Sequence, residues 1–340
     1  MSESSRGAAK ERPFVSVIMP MFNEEKTADA CIRSILAQDY PSDRMEVLVI
    51  DGASFDRSAE IVRALQEHHS NLRLIHNPKR LTVTSLNLGL SEARGEIYMR
   101  LDSHALLSSD YVRVCVETLE STGADNVGGL MRAVGVTPQG EAIALATSSR
   151  FGVGGARFHF ATEAQYVDTV YLGCYWMKGI RALGCYDEEM ILNEDDELNF
   201  RLTRQGGKVF LSPDIRSSYQ CRSSFTALWK QYFRYGKWKV RLIQKHHRVP
   251  SLRHLIPGSF AAAVLAGLLL WPLTRVGPWL LLAALLPYSA VNLAFSTVLA
   301  ARNGWKHWPL LPVTFFTIHM AYGMGFLVGL VNFLVLRRVS

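Results

Sequence analysis

No aspartate or glutamate follows Asp214, although 126 residues of this 340-residue chain remain. Those residues carry 15 lysines and arginines and three long apolar runs, 255–274, 276–301 and 308–336. Each run reaches the roughly 20 residues that an α-helix needs to cross the hydrocarbon core of a bilayer. The tail is therefore expected to be a multi-pass membrane region, 255–340, and whatever precedes it must build its own core. The first 214 residues set 30 acidic against 22 basic residues, a net charge of −8. The excess of positive charge in the whole chain comes from the apolar tail, which points to a membrane and away from nucleic acid.

Between the two parts, Lys230, Arg234, Lys237, Arg241, Lys245 and Arg248 recur nearly once per helical turn beside Phe225, Leu228, Trp229 and Tyr232. This spacing predicts a basic interfacial helix over 223–254, lying on anionic lipid. Its charge places the near side of the first span in the cytoplasm. Arg302 and Lys306 agree with three crossings, whereas Arg337 and Arg338 would then end on the far side. Residues 1–13 are polar and expected to be a disordered leader. Five cysteines without a CxxC pair fit a reducing compartment.

From residue 14 short β-branched runs alternate with helical periods, the pattern of a mostly parallel, Rossmann-like α/β sheet. "FVSVIM", "EVLVID", "LRLIH" and "EIYMRLD" read as strands. Ala28, Cys31, Ile32, Ile35 and Leu36 mark one helix face, and further helices are expected at about 57–69 and 82–94. Asp51 and Asp102 fall where strands end, the edge at which open α/β sheets bind ligands. Residues 126–214 read as a mixed sheet with acceptor-side loops. Within them, "FGVGGARF" lacks the last glycine of GxGxxG and reads as a mobile loop.

Asp102, Ser103 and His104 form an Asp-x-His, a carboxylate and an imidazole that can share one Mg²⁺ or Mn²⁺ bridging a nucleotide diphosphate. "NEDDELNFRL" crowds Glu194, Asp195, Asp196 and Glu197 behind Asn193. Part of that crowding is a helix start, with Asn193 as cap and acids favoured by the helix dipole. On that reading Glu197 and Arg201 form a surface ion pair, while Leu198 and Leu202 face the core.

"VSVIMPMFNEE", "VLVIDGASFDRS", "NPKRLTVTSLNLGLSEARGE", "RLDSH", "NEDDELNFRL" and "QYFRYGKW" stand in the order and at about the spacing of glycosyltransferase family 2. Over residues 14–255 the chain resembles the membrane-attached branch that makes bacterial exopolysaccharide on a lipid diphosphate, the succinoglycan-type glucosyltransferases. The resemblance implies a GT-A domain over 14–222 and inverting, metal-dependent transfer of a sugar. It suggests UDP-glucose as donor and a polyprenyl-diphosphate-linked sugar as acceptor, at the cytoplasmic face of the inner membrane.

By resemblance, Pro20, Asn23, Glu24, Asp51, Lys79, Arg80, Asn87 and Asp102 serve the nucleotide sugar, and Asp102 and His104 the metal. His104 stands where Asp is commoner. Asp195 is the implied base with Glu194 beside it, and Gln231, Arg234, Tyr235 and a displaced Trp238 serve the diphosphate or acceptor. The partial match of those four residues to Gln-x-x-Arg-Trp favours single addition. A polyprenyl-phosphate glycosyltransferase, a short processive synthase and a non-catalytic nucleotide-sugar-binding scaffold are the competing readings.

Overall fold

All seven residues of β1 (Val15–Met21) and all seven of β2 (Met45–Asp51) are buried, which requires packing on both faces of the sheet they share. The protein is described here from a computed structural model covering residues 11–336. Most of the expected leader, together with Arg337 and Arg338, lies outside the described residues. Side chains alternate along each strand, so Val15, Val17, Met19 and Met21 enter one core and Ile18 the other.

The first core is closed by α1 (Ala28–Leu36), α2 (Ser58–Gln66) and, further on, α4 (Tyr111–Thr122). The second is closed by α3 (Thr82–Glu92), reached after β3 (Leu72–His76). β4 (Ile97–Arg100) pairs with β1 in parallel, so β3, β2, β1 and β4 form a parallel half with its carboxyl ends along one edge. Strand positions and helix α1 match the expected ones, and α2 and α3 are shorter than expected by a few residues.

The other half is mixed, as expected for 126–214. It contains β5 (Ala105–Leu107), β6 (Asn126–Val134), β7 (Gln165–Val167), β8 (Tyr171–Trp176) and β9 (Val209–Gln220). The order is β3-β2-β1-β4-β8-β6-β9-β5, with β7 also on β9. β8 is antiparallel to both β4 and β6, and β6 runs parallel to β9. α5 (Pro138–Thr147) and α6 (Arg150–Val153) follow β6, α7 (Met177–Ala182) follows β8, and α8 (Glu194–Arg204) precedes β9. "FGVGGARF" is therefore partly helical: α6 runs into it, and a 3₁₀ turn takes up Arg157–His159.

Ser224 caps α9 (Phe225–His246), its side chain accepting from Ala227 N at 3.3 Å. Three apolar helices follow: α10 (Ile256–Leu270), α11 (Val276–Asn303) and α12 (Leu311–Gly329). With their flanking turns they give three helical segments long and apolar enough to cross a membrane, Leu252–Leu270, Val276–Asn303 and Leu311–Val335.

α9 is not a free interfacial helix. It crosses α12 at backbone contact distance, since a Cβ on Gly236 would lie 2.0 Å from Tyr322 O and one on Gly325 only 1.9 Å from Phe233 O. The expected basic stripe is divided by that crossing. Arg241 and Lys245 pair with Glu189 at 2.9 and 2.8 Å, Lys237 lies over the Phe333 ring, and Arg234 faces a cavity. Only part of the stripe is left to meet lipid. α5 and α12 share a further core through Ile143, Phe315 and Ile318, so the helical region is packed onto the sheet domain.

Candidate active site

A cavity of about 950 Å³ runs from the carboxyl ends of β1, β2 and β4 to the helices at the end of the chain. On the sheet side it is walled by Pro20, Glu24, Gly52, Arg80, Asp102 and His104. The loops that deliver these residues turn through the left-handed region at Asn23 (φ 55°), Ala53 (φ 60°) and Arg80 (φ 56°). Strain of about 1–3 kcal/mol per such residue collects at sites where backbone placement matters more than comfort.

Arg100 organises the carboxylates. Its Nε donates to Asp102 Oδ1 at 3.0 Å, and its Nη1 lies 3.0 Å from Glu194 Oε1 and 2.6 Å from Asp195 Oδ2. One guanidinium, 7% exposed, thus faces three acids from two elements. Arg100 and Asp102 are two apart at the end of β4, where alternate side chains share a face. That spacing within "RLDSH" is the signal that would have found Arg100, which the sequence reading passed over.

The charge balance sets the titration of the site. Burial opposes ionisation of Asp102, but Arg100 and His104 hold its carboxyl below the usual range. Burial pushes Asp195 up to about 7; Arg100 opposes the rise, and the charges of Glu194 and Asp102 add to it. Tyr186 supplies a further hydrogen bond, donating through its hydroxyl to Asp195 Oδ1 at 3.2 Å. Asp195 therefore combines a fixed orientation with a proton affinity close to neutrality, the condition for a general base.

Asn87 explains how Tyr186 is held. Its amide donates to Tyr186 O at 2.8 Å and accepts from Tyr186 N at 2.9 Å. Asn87 is therefore a clamp on the loop behind Asp195 and does not reach the cavity, contrary to the expected contact with nucleotide sugar. Trp238 is likewise displaced. It is 7% exposed and packed on Phe333, away from the cavity wall. Lys79 points to Glu188 at 3.3 Å, leaving Arg80 as the member of that pair on the wall.

Asn23 latches two loops, accepting from Phe55 N at 3.0 Å, and its own N–H reaches Ser54 Oγ at 2.9 Å. Asp51 accepts from Ser54 N at 3.2 Å, next to Gly52 on the wall. Gln231, Arg234 and Tyr235 do line the cavity, and Gln231 donates to the Tyr235 hydroxyl at 3.0 Å.

The acidic run at 194–197 divides by direction, because neighbours on a helix point about 100° apart. Glu194 and Asp195 meet Arg100, while Asp196 pairs with Lys239 at 2.5 Å. Glu197 and Arg201 do form the expected pair, at 2.7 Å, but Glu197 is 0% exposed and also meets His246 Nε2 at 2.9 Å. The carboxylate is buried between Arg201 and His246 of α9, while Arg201 stays partly exposed. Asn193 sits at the start of α8 in the left-handed region; its side chain makes no cap and donates instead to Tyr235 O at 3.3 Å.

Among the described residues no three His, Cys, Asp or Glu side chains gather as a metal cage. Asp102 and His104 remain as an oxygen and a nitrogen donor flanking Ser103 on the cavity wall, with Glu24 Oε1 3.8 Å from His104 Nδ1. Two protein ligands with the other positions left to phosphate oxygens and water is how Mg²⁺ is commonly held at phosphate sites. The donor set fits such an ion.

Residues 16–173 match the family model for glycosyl transferase family 2. Over 326 residues the chain is 28% identical to the succinoglycan biosynthesis protein ExoA of Rhizobium meliloti (strain 1021), covering 95% of this chain and 96% of that one. It is similar, at 29% identity over 327 residues, to the dolichyl N-acetyl-alpha-D-glucosaminyl phosphate 3-beta-D-2,3-diacetamido-2,3-dideoxy-beta-D-glucuronosyltransferase of Methanococcus voltae, with 94% and 98% covered. Among solved structures, the mannosyltransferase PcManGT of Pyrobaculum calidifontis, in complex with GDP-Man and Mn²⁺, superposes with a TM-score of 0.58 at 22% identity, over 91% of this chain and 86% of that one. The fold is the GT-A type expected from the sequence.

Proposed function

Since residues 16–173 are a glycosyltransferase family 2 domain, joined to a helical region with three candidate membrane spans, we propose that this chain is an inverting transferase working at a membrane. It moves a sugar, glucose in the simplest reading, from a UDP-linked donor to a lipid-diphosphate-linked acceptor in exopolysaccharide synthesis. The sheet domain faces the cytoplasm of the inner membrane. One observation carries the reading: Asp195 and Asp102 meet on Arg100 in a cavity that continues to the spanning helices.

In this mechanism the donor's diphosphate lies along Gly52, Arg80 and Asp102, and the acceptor enters from the helical side. Asp195, held by Tyr186 and Arg100, takes the proton from the acceptor hydroxyl as its oxygen attacks the anomeric carbon from the face opposite the departing diphosphate. A well-placed base of this kind contributes about 10²- to 10⁴-fold. Arg234, planar and free to form paired hydrogen bonds, faces the phosphate oxygens of donor or acceptor. A divalent ion held by Asp102 and His104 would supply charge neutralisation for the diphosphate.

The acceptor's link has a second reading. The Methanococcus voltae relative is named for a dolichyl phosphate acceptor, which favours a monophosphate in place of a diphosphate. Membranes containing the protein, incubated with Mn²⁺ or Mg²⁺ and labelled UDP-sugars, test the proposal. Label is expected in the lipid fraction from one donor. If no donor labels lipid while UDP still binds, the chain is a nucleotide-sugar-binding scaffold and the enzymatic reading fails.

A further inference from the structure

The helical elements that line the cavity carry their own cluster of polar groups. Lys239 on α9 is 5% exposed and reaches Asp196 at 2.5 Å. Arg253, in the turn that leads into α10, pairs with Asp168 through Nη2 at 2.7 Å. Beside them, His254 Nδ1 and the Tyr322 hydroxyl are buried and make no hydrogen bond to any described residue, although both residues line the cavity.

The His254 atom is a donor. Arg253 Nε donates to His254 Nε2 at 3.4 Å, so the ring's proton stands on Nδ1. Buried donors without acceptors are costly, and a ligand-binding cavity is one place where a fold keeps them. Lys239 and Arg253 are each bound to one carboxylate and keep further N–H groups, and with the two unmet neutral donors they line one space, which suits a ligand rich in acceptor oxygens such as a phosphate. Gly155 lets the Arg253 guanidinium lie where it does, since a Cβ there would come within 2.4 Å of Arg253 Nη1 and push the guanidinium aside.

The position is equally specific. Arg253 and His254 are the second and third residues of the first candidate span, Leu252–Leu270, so a helix crossing a bilayer there would carry them at the level of the lipid phosphates. Asp196, which holds Lys239, directly follows Asp195. We propose that Lys239, Arg253, His254 and Tyr322 form a subsite for the phosphate head group of a lipid-linked acceptor, presenting its sugar to Asp195. This deepens the proposed function and rests on its lipid-linked acceptor.

The test uses the full-length protein in phosphatidylcholine nanodiscs, with UDP and GDP both saturating so that the donor site is filled. Binding of labelled farnesyl diphosphate and farnesyl monophosphate is compared with that of inorganic diphosphate. The prenyl phosphates are expected to bind and inorganic diphosphate to bind at least tenfold more weakly. Arg253→Gln is expected to weaken prenyl phosphate binding by at least tenfold and Tyr322→Phe by a few-fold, with UDP affinity unchanged. Arg253→Lys keeps the charge and guards against a folding defect; it is expected to fall between wild type and Arg253→Gln.

Unchanged affinity in all three variants overturns the subsite while leaving the lipid acceptor intact. Equal affinity for inorganic diphosphate overturns the assignment to a lipid head group. If the wild-type protein binds UDP but neither prenyl phosphate, the lipid-acceptor reading falls together with the subsite.

Discussion

Two buried ionic clusters share helix α8, and they are built on opposite plans. At Arg100 one cation serves three carboxylates, Asp102, Glu194 and Asp195, beside a cavity. At Glu197 one carboxylate is met by Arg201 and by His246, and Arg201 also donates to Leu183 O at 2.5 Å and Cys185 O at 2.7 Å. The second cluster is saturated, so it holds α8, α9 and the preceding loop together and has nothing left to offer a ligand. The first has negative charge in excess, which a folded protein keeps only where something else, a cation or a proton, completes the balance. Both clusters are built on an arginine and carboxylates; the direction of the shortfall separates chemistry from scaffolding.

The comparison is broken most directly at Asp195. Asp195→Asn is expected to lower sugar transfer by about 10²- to 10⁴-fold, the contribution of a general base. Thermal stability in detergent is expected to hold or rise, because one of three acids crowding Arg100 loses its charge. Wild-type-like turnover would place the base elsewhere.

Glu197→Gln should do the reverse. Removing one partner from a buried ionic cluster costs about 3–5 kcal/mol, so the melting temperature is expected to drop by several degrees while turnover per folded molecule stays within about twofold. A loss of transfer comparable to that of Asp195→Asn, at unchanged stability, would erase the distinction between the two clusters.

A smaller effect is expected in the pH profile. Burial pushes Asp195 up to about 7, and it can accept a proton only after losing its own. kcat/KM is therefore expected to fall about tenfold per pH unit below that value and to level off above it. Arg100→Gln removes the cation that opposes the rise and should move this limb to higher pH. A limb that does not move would show that the titrating group is not Asp195.

What the sequence disclosed follows from where packing is local. β1 and β2 are apolar along their whole length because helices cover both faces, so their positions stood out as continuous runs, and α1 was marked by its apolar spacing. Asp102, His104, Glu194 and Asp195 could be picked out because each sits in a short motif. Arg100 was missed although it lies two residues from Asp102. Tyr186, Lys239, Arg253 and His254 carry no local signal, because their partners come from distant elements, as with Lys239 and Asp196, 43 residues apart. Spacing gave the Glu197–Arg201 pair correctly and its exposure wrongly, since the Glu197 carboxylate is buried between Arg201 and His246 of α9.

The basic stripe on α9 is the same lesson at lower energy. Its spacing predicted six cations on one face, yet Arg248 lies beyond the end of α9 and Arg241 and Lys245 are already engaged by Glu189, while Lys230 is exposed and makes no ion pair among the described residues. An unengaged cation at the surface keeps its full attraction for anionic lipid, worth about 1 kcal/mol per residue. In nanodiscs of rising phosphatidylglycerol content, Lys230→Gln should shift the lipid dependence of transfer by about fivefold. Arg241→Gln combined with Lys245→Gln should leave that dependence unchanged, whatever it does to stability. An equal shift in both variants would mean that the ion pairs to Glu189 open at the membrane and that the stripe acts as one surface.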